Sequence, residues 1–116
     1  MDFKTTIFLS KKSSLDNDVI AIIIGNIVDN ALEACIRLPK EKNKKIDLVV
    51  KQINTDLLID LSNSFNPSEV NSRKKRQFEG MGIKSIHSLV KKKDGLYKNW
   101  IENDTYFVSI VLFNIY

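Results

Sequence analysis

The 116-residue chain has few of the features that place a protein outside the cytoplasm. Its single cysteine, Cys35, cannot form an intramolecular disulfide, and we expect it to pack as a small hydrophobic residue. The longest apolar run, Val19 to Ile24, is far too short to span a bilayer. The N-terminal sequence MDFKTTIFLSKK also lacks a basic stretch followed by a long apolar one. We therefore expect a cytoplasmic domain that makes no membrane contact of its own.

The composition suits one soluble domain, which we expect to cover residues 1–116. The chain is 43% hydrophobic and 28% charged, and its formal net charge is +4. A positive balance is compatible with a nucleic acid or a phosphate-bearing ligand, but many proteins with such a charge bind neither. The basic run RKKR at 73–76 contains no aromatic residues for stacking on bases, so we expect no nucleic-acid binding. This run either neutralises a ligand or contacts a partner, or it is simply solvated.

Apolar periodicity and turn residues divide the chain into seven short elements without internal repeats. The five predicted strands are at 3–9, 45–53, 57–64, 96–101 and 105–116, and the second and third form a hairpin. The first predicted helix is capped by Ser14 or Asp16 and ends at Pro39, and the second runs from Gly80 to the turn at 94–95. A loop at 65–79 connects the hairpin to the second helix. Strands and helices alternate irregularly along this order. The pattern therefore predicts an α+β fold, a two-layer sandwich with helices on one sheet face.

Four polar residues interrupt the apolar first helix, IIIGNIVDNALEACIRL at residues 22–38. They are Asn26, Asp29, Asn30 and Glu33. Residues three and four apart share a helix face, so the four form one stripe. Because apolar residues border this stripe on both sides, it either lines a cleft or is the solvent-facing stripe of an ordinary amphipathic helix.

A second polar feature is the segment EGMGIKSI at 79–86, where a basic loop meets the start of a helix. A helix N-terminus carries unpaired N–H groups and partial positive charge, and the glycines at 80 and 82 allow the backbone to approach a ligand closely. This arrangement favours phosphate binding. The alternative is a simple loop end in which glycine serves as a turn residue.

In order and spacing, these segments resemble the GHKL ATPases of gyrase, chaperone, histidine-kinase and mismatch-repair type. NIVDNALEA at 26–34 looks like the N box of this family, and EGMGIKSIHSLVKKKDG at 79–95 looks like its second glycine box. The chain is most similar to the ATP-binding domains of peptide-responsive, quorum-sensing receptor histidine kinases. In these kinases an Asn-containing segment, here LSNSFNP at 61–67, commonly replaces the Asp-x-Gly-x-Gly box. The resemblance implies a Bergerat-type fold with a mixed sheet, and ATP and magnesium as ligands.

The resemblance assigns roles to the polar stripe. Asn30 would be the magnesium ligand, since an amide oxygen is a hard, neutral donor. Asn26 would hydrogen-bond phosphate or metal-bound water, and these two residues are the candidate catalytic ones. Chaperone relatives carry a water-activating acid at the position of Asn26, so an asparagine suggests phosphoryl transfer to a protein instead of rapid hydrolysis. Asp29 and Glu33 either have a direct role or are solvated helix charges.

The resemblance also assigns the other ATP-binding residues. Asn63 is the candidate for adenine recognition, because its amide can accept from the exocyclic amine and donate to a ring nitrogen; the alternative is that it merely ends a strand before a turn. The phosphates would be received by backbone at Gly80, Met81, Gly82 and Ile83, with side-chain contacts from Lys84 and Ser85.

Two functions remain open at this stage: a histidine-kinase catalytic domain, and a module with the same fold that mediates interactions with little or no nucleotide binding. Under the first, segment 65–79 is the ATP lid, and the phosphoacceptor histidine lies on a separate dimerisation domain. His87, inside the domain, does not fit that role. We therefore expect the C-terminal part of a larger membrane receptor that works with a response regulator and does not autophosphorylate in isolation.

Overall fold

A computed structural model describes residues 2–8, 17–40, 42–67 and 81–115. These residues form five strands and two helices. They are β1 (Asp2–Phe8), α1 (Asn17–Ile36), β2 (Lys45–Ile53), β3 (Asp56–Ser64), α2 (Met81–Lys92), β4 (Leu96–Glu102) and β5 (Thr105–Leu112). All seven predicted elements are present. Both cap candidates of the first helix and most of the predicted lid, residues 68–79, lie outside the described residues.

The five strands form one mixed sheet in the order β1-β2-β3-β5-β4. β1 runs parallel to β2, with α1 as the crossover between them, and the remaining neighbours are antiparallel. α1 packs on β3 and β2, while α2 packs against α1 and the edge strand β4. The predicted α+β sandwich with helices on one face is therefore confirmed.

The core lies between the helices and one face of the sheet. Alternate residues of the three central strands point to this face and are buried, as the period of a strand requires. The core members are Ile46, Leu48, Val50, Leu57, Ile59, Leu61, Val108, Ile110 and Leu112 from the strands, and Ile23, Ile27, Ala31, Ala34, Cys35, Ile86 and Val90 from the helices. Burying each large aliphatic side chain contributes about 1.5–3 kcal/mol, so this layer holds the sheet and helices together.

α1 contains a longer apolar segment than the uninterrupted run Val19 to Ile24. By length and composition alone, Val19–Ile36 could cross a membrane. The core helix of a soluble protein passes the same test, and five side chains of α1 lie in the core described above. The length of the longest uninterrupted apolar run did not reveal the segment Val19–Ile36, because polar residues divide it into shorter runs. Two apolar side chains of α1, Ile22 and Ile36, are 53% and 70% exposed.

The last strand ends earlier than the predicted range 105–116. β5 stops at Leu112, and Asn114 has a φ of 55°. The Asn114 backbone N–H donates to Asp56 Oδ1 at 2.9 Å, and the Ile115 N–H donates to the Thr55 carbonyl at 2.9 Å. The prediction was wrong here because the apolar run continues through the bend, which turns Ile115 into the core.

The turn after α2 sets the position of β4 and agrees with the prediction at 94–95. Asp94 adopts a φ of 56°, and the Gly95 N–H donates to the Val90 carbonyl at 2.8 Å. A Cβ at Gly95 would lie 2.7 Å from the Val111 carbonyl oxygen, so only glycine fits at this close approach. The turn therefore places the start of β4 directly beside β5.

Candidate nucleotide site

A cavity lies between α1 and the helix-facing side of β3, β5 and β4. Its volume is about 10 Å³, which leaves room for about one water molecule. Its walls are apolar apart from two amides and two tyrosines. The lining residues are Ile27, Asn30, Ala31, Leu61, Asn63, Tyr97, Tyr106 and Val108.

Asn63 is placed in this cavity by the register of β3. It pairs with Ile46 on β2 and Tyr106 on β5, so its side chain points into the helix-facing layer. It is 3% exposed and is the single polar residue in the buried class within the described ranges. Its Nδ2 donates to the Ser64 carbonyl at 3.0 Å. Asn63 is thus a buried amide one residue before the end of β3, and its role in base recognition stays a prediction.

Asn30 reaches the same cavity from α1. Its Nδ2 atom is buried and has no hydrogen-bond partner within the part of the chain that the structure describes. An unsatisfied buried donor costs about 1–3 kcal/mol, which a ligand with an acceptor at this point would recover. Two of the sequence-predicted residues, from separate elements, are therefore brought together.

The rest of the predicted stripe does not line the cavity. Asn26, one turn before Asn30, is half-buried, whereas Asp29 and Glu33 are exposed. The exposure of these two acids agrees with solvated helix charges. The stripe is therefore divided between one residue in the cavity, one beside it and two in solvent.

The predicted phosphate segment is described in part. Gly80 lies outside the described residues, and α2 begins at Met81 as expected from the sequence. Met81, Gly82, Ile83, Lys84 and Ser85 thus form the start of this helix, where backbone N–H groups have no intrahelical partner. The side-chain contacts expected of Lys84 and Ser85 remain predictions.

Sequence reasoning missed the two tyrosines of the cavity. Tyr106 faces Asn63 across the β3–β5 ladder and packs edge-to-face on Phe65, with ring centroids 6.3 Å apart. Strand alternation could have placed Tyr106 on the buried face, since every second residue of β5 is apolar. Tyr97 had no comparable signal, because both faces of β4 carry polar residues.

Cys35 packs as predicted, at the C-terminal end of α1. It is fully buried, and its Sγ lies 3.7 Å from the Ser64 carbonyl oxygen. Burial raises the pKa of the Cys35 thiol. The raised pKa keeps the side chain neutral near neutral pH, in agreement with a packing role.

The sequence profile of the GHKL domain matches residues 15–113, which is most of the chain. The chain belongs to the GHKL family. This match includes both asparagines of the cavity and the start of α2. Among curated proteins, none is significantly similar in sequence.

Solved structures of histidine kinases share the fold of this GHKL domain. The nucleotide-free catalytic domain of the kinase ThkA is 18% identical with a TM-score of 0.70, covering 97% of this chain and 78% of that one. The histidine kinase domain of the Erythrobacter litoralis blue-light activated kinase EL346 is 11% identical with a TM-score of 0.69, covering 97% and 52%. Full-length ShkA in complex with AMPPNP is 12% identical with a TM-score of 0.69, covering 99% and 26%.

Proposed function

We propose that this GHKL domain binds ATP with magnesium between α1 and α2 and presents the terminal phosphoryl group to a histidine on a separate dimerisation domain. The observation that carries the proposal is the unpartnered Nδ2 of Asn30 in the same cavity as the buried Asn63. The family supports this assignment, as does the shared fold with ShkA, which was solved with AMPPNP. An interaction module that binds no nucleotide would gain nothing from a buried Asn30 amide nitrogen that lacks a partner in the described structure.

The chemistry of the cavity suits adenine. The Asn63 amide can accept a hydrogen bond from the exocyclic amine and donate one to a ring nitrogen. The apolar side chains of Ile27, Leu61 and Val108 offer surface against which a purine ring can be buried. Because the cavity is now barely wide enough for water, the base can enter only if a wall residue moves.

The start of α2 suits the phosphates. The N–H groups of the first helical turn attract anions, and the sequence of this turn includes one basic residue, Lys84. Within the described residues no group of three or more His, Cys, Asp or Glu could hold a metal. The amide oxygen of Asn30 would be the protein ligand of a magnesium ion that arrives with the nucleotide. Bound magnesium would neutralise charge on the triphosphate.

The same residues favour transfer over hydrolysis. Asn26 cannot remove a proton from water as a carboxylate can, so the domain's contribution is to position and neutralise the transferring group. His87 is exposed on α2 and stacks on Tyr97. Its position inside the domain does not fit a phosphoacceptor histidine, which we expect on the separate dimerisation domain. We infer that the domain forms the C-terminal part of a larger receptor kinase, that a response regulator receives the phosphoryl group, and that the isolated domain does not phosphorylate itself.

Calorimetric titration with a non-hydrolysable ATP analogue tests the proposal. We expect saturable binding with one site per chain that is tighter in the presence of magnesium. Trp100→Ala is a suitable control, because Trp100 stacks on Phe107 on the sheet face away from the helices. The absence of binding at millimolar analogue, with the fold intact, would support the interaction module instead.

A further inference from the structure

Tyr97 differs from the rest of the cavity wall. Six of the other lining residues are at most 7% exposed and belong to α1 or the central strands β3 and β5. Tyr97 is half-buried and comes from the edge strand β4. It is therefore the aromatic residue of the wall that lies nearest the edge of the sheet.

The Tyr97 ring is held from outside the cavity by His87. The two ring centroids are 5.1 Å apart, and the planes are inclined by 32°. Buried Ile86 and Val90 fix α2 against the core, so the position of His87 relative to β4 is set by packing. The Asn99 Nδ2 also lies 3.5 Å from the Tyr97 hydroxyl. These contacts give the ring a defined place in the wall.

We propose that Tyr97 is a base-contacting residue of the nucleotide site and that His87 is the positioning residue that holds its ring at the cavity. The inference rests on the proposed nucleotide-binding function of the cavity. An aromatic ring packs on the face of any purine, whereas the amide of Asn63 contacts the edge that distinguishes adenine from guanine. Tyr97 thus sets affinity without setting base preference, and Asn63 sets base preference.

The test measures dissociation constants for ATP and GTP analogues by calorimetry in a set of folded variants. Tyr97→Leu keeps apolar bulk but removes the ring, and we expect both constants to rise about ten-fold with their ratio unchanged. Tyr97→Phe keeps the ring and should bind within about two-fold of the unmodified domain. Trp100→Leu is the matched control on the same strand, since Trp100 is a half-exposed, stacked aromatic on the opposite face; it should leave both constants unchanged.

The role of His87 is tested through Tyr97. His87→Ala should weaken both analogues about three-fold, and His87→Phe should restore binding because it keeps the stack. In the Tyr97→Leu background, His87→Ala should have no further effect. His87 is exposed, so its variants should fold even if Tyr97→Leu does not.

Three results would overturn the inference. The first is unchanged affinity for both analogues in Tyr97→Leu, and the second is a changed ratio of the two dissociation constants in that variant. The third is a weakening by His87→Ala in the Tyr97→Leu background as large as in the unmodified domain. If Tyr97→Leu cannot be purified in folded form, the two His87 variants decide. The inference is then overturned if His87→Phe binds the analogues as weakly as His87→Ala. These outcomes differ from failure of the proposed function, in which the unmodified domain and Trp100→Leu bind neither analogue.

Discussion

The two sides of the cavity are built differently. Seven of its eight lining residues come from α1, β3 and β5, which form the centre of the fold, and one comes from the edge strand β4. α1 places five side chains in the core, whereas α2, which covers β4, places Ile86 and Val90 there within its described residues. The central elements thus hold the two amides in packed surroundings, Asn30 from the helix layer and Asn63 from the sheet, whereas Tyr97 comes from the edge of the sheet. We expect specificity to depend on the central elements and access on the edge strand.

The largest effect is expected in the central elements, at Asn63 on β3. Guanine presents a carbonyl where adenine presents an amine, so GTP would leave the buried amide mispaired at a cost of about 1–3 kcal/mol. The unmodified domain should therefore prefer ATP, and Asn63→Leu should abolish this preference in a competition assay. Asn63→Asp should keep or strengthen ATP binding, since a carboxylate accepts the amine's hydrogen bond more strongly. Equal affinity for both nucleotides in the unmodified domain, with no response to either substitution, would mean that Asn63 only ends a strand.

Asn30, across the cavity on α1, allows the effect on binding to be separated from the effect on stability. Asn30→Ala removes an amide nitrogen that has no partner in the described structure, so the free energy of unfolding should stay constant or rise slightly. Magnesium-dependent binding of an ATP analogue should weaken about ten-fold. Urea unfolding and calorimetry measure the two effects. A destabilised variant with unchanged affinity would make Asn30 a structural residue.

Alanine substitutions at two glycines, one in α1 and one in the turn after α2, compare the packing of these two regions through the free energy of unfolding. Gly95→Ala should destabilise the domain by about 1–3 kcal/mol, because the new Cβ would meet the Val111 carbonyl oxygen and Val90 at the end of α2. Gly25→Ala is the matched substitution in α1, where a Cβ meets nothing within 4 Å. It should stabilise the domain by about 0.5–1 kcal/mol through helix propensity. Urea unfolding in which Gly95→Ala is as stable as the unmodified domain would contradict the close approach at Gly95.

The smallest effect concerns Cys35. Burial raises the pKa of its thiol above the ordinary value of 9.0, so the folded chain keeps this proton to higher pH than the unfolded chain. The contribution to stability is constant below pH 9 and falls as pH rises through the unfolded value, by about 1.4 kcal/mol per unit of pKa difference. Cys35→Ala should reduce the loss of unfolding free energy between pH 8 and pH 10. An identical loss in both proteins would show that the thiol is not shielded.

The fold could be predicted from sequence because strand alternation and helix periodicity were strong in every central element. The site could be predicted only in part. Helix spacing grouped Asn26 with Asn30, but which of them reaches the cavity depends on the rotation of α1 against β3, and spacing does not set this rotation. On β4 neither face is clearly apolar, so alternation does not show that Tyr97 faces the helices while Trp100 faces solvent.

The most direct test observes the two side-chain amides by nuclear magnetic resonance. In ¹⁵N-labelled domain, with signals assigned through the Asn30→Ala and Asn63→Leu variants, a non-hydrolysable ATP analogue is added to saturation with magnesium. Asn103 in the β4–β5 turn, which has a positive φ and is exposed, provides an internal control. If the base occupies the cavity, the Asn30 and Asn63 amide signals shift with a common binding curve while that of Asn103 stays in place. Saturation of the protein with no shift at Asn30 and Asn63 would contradict a nucleotide site in this cavity.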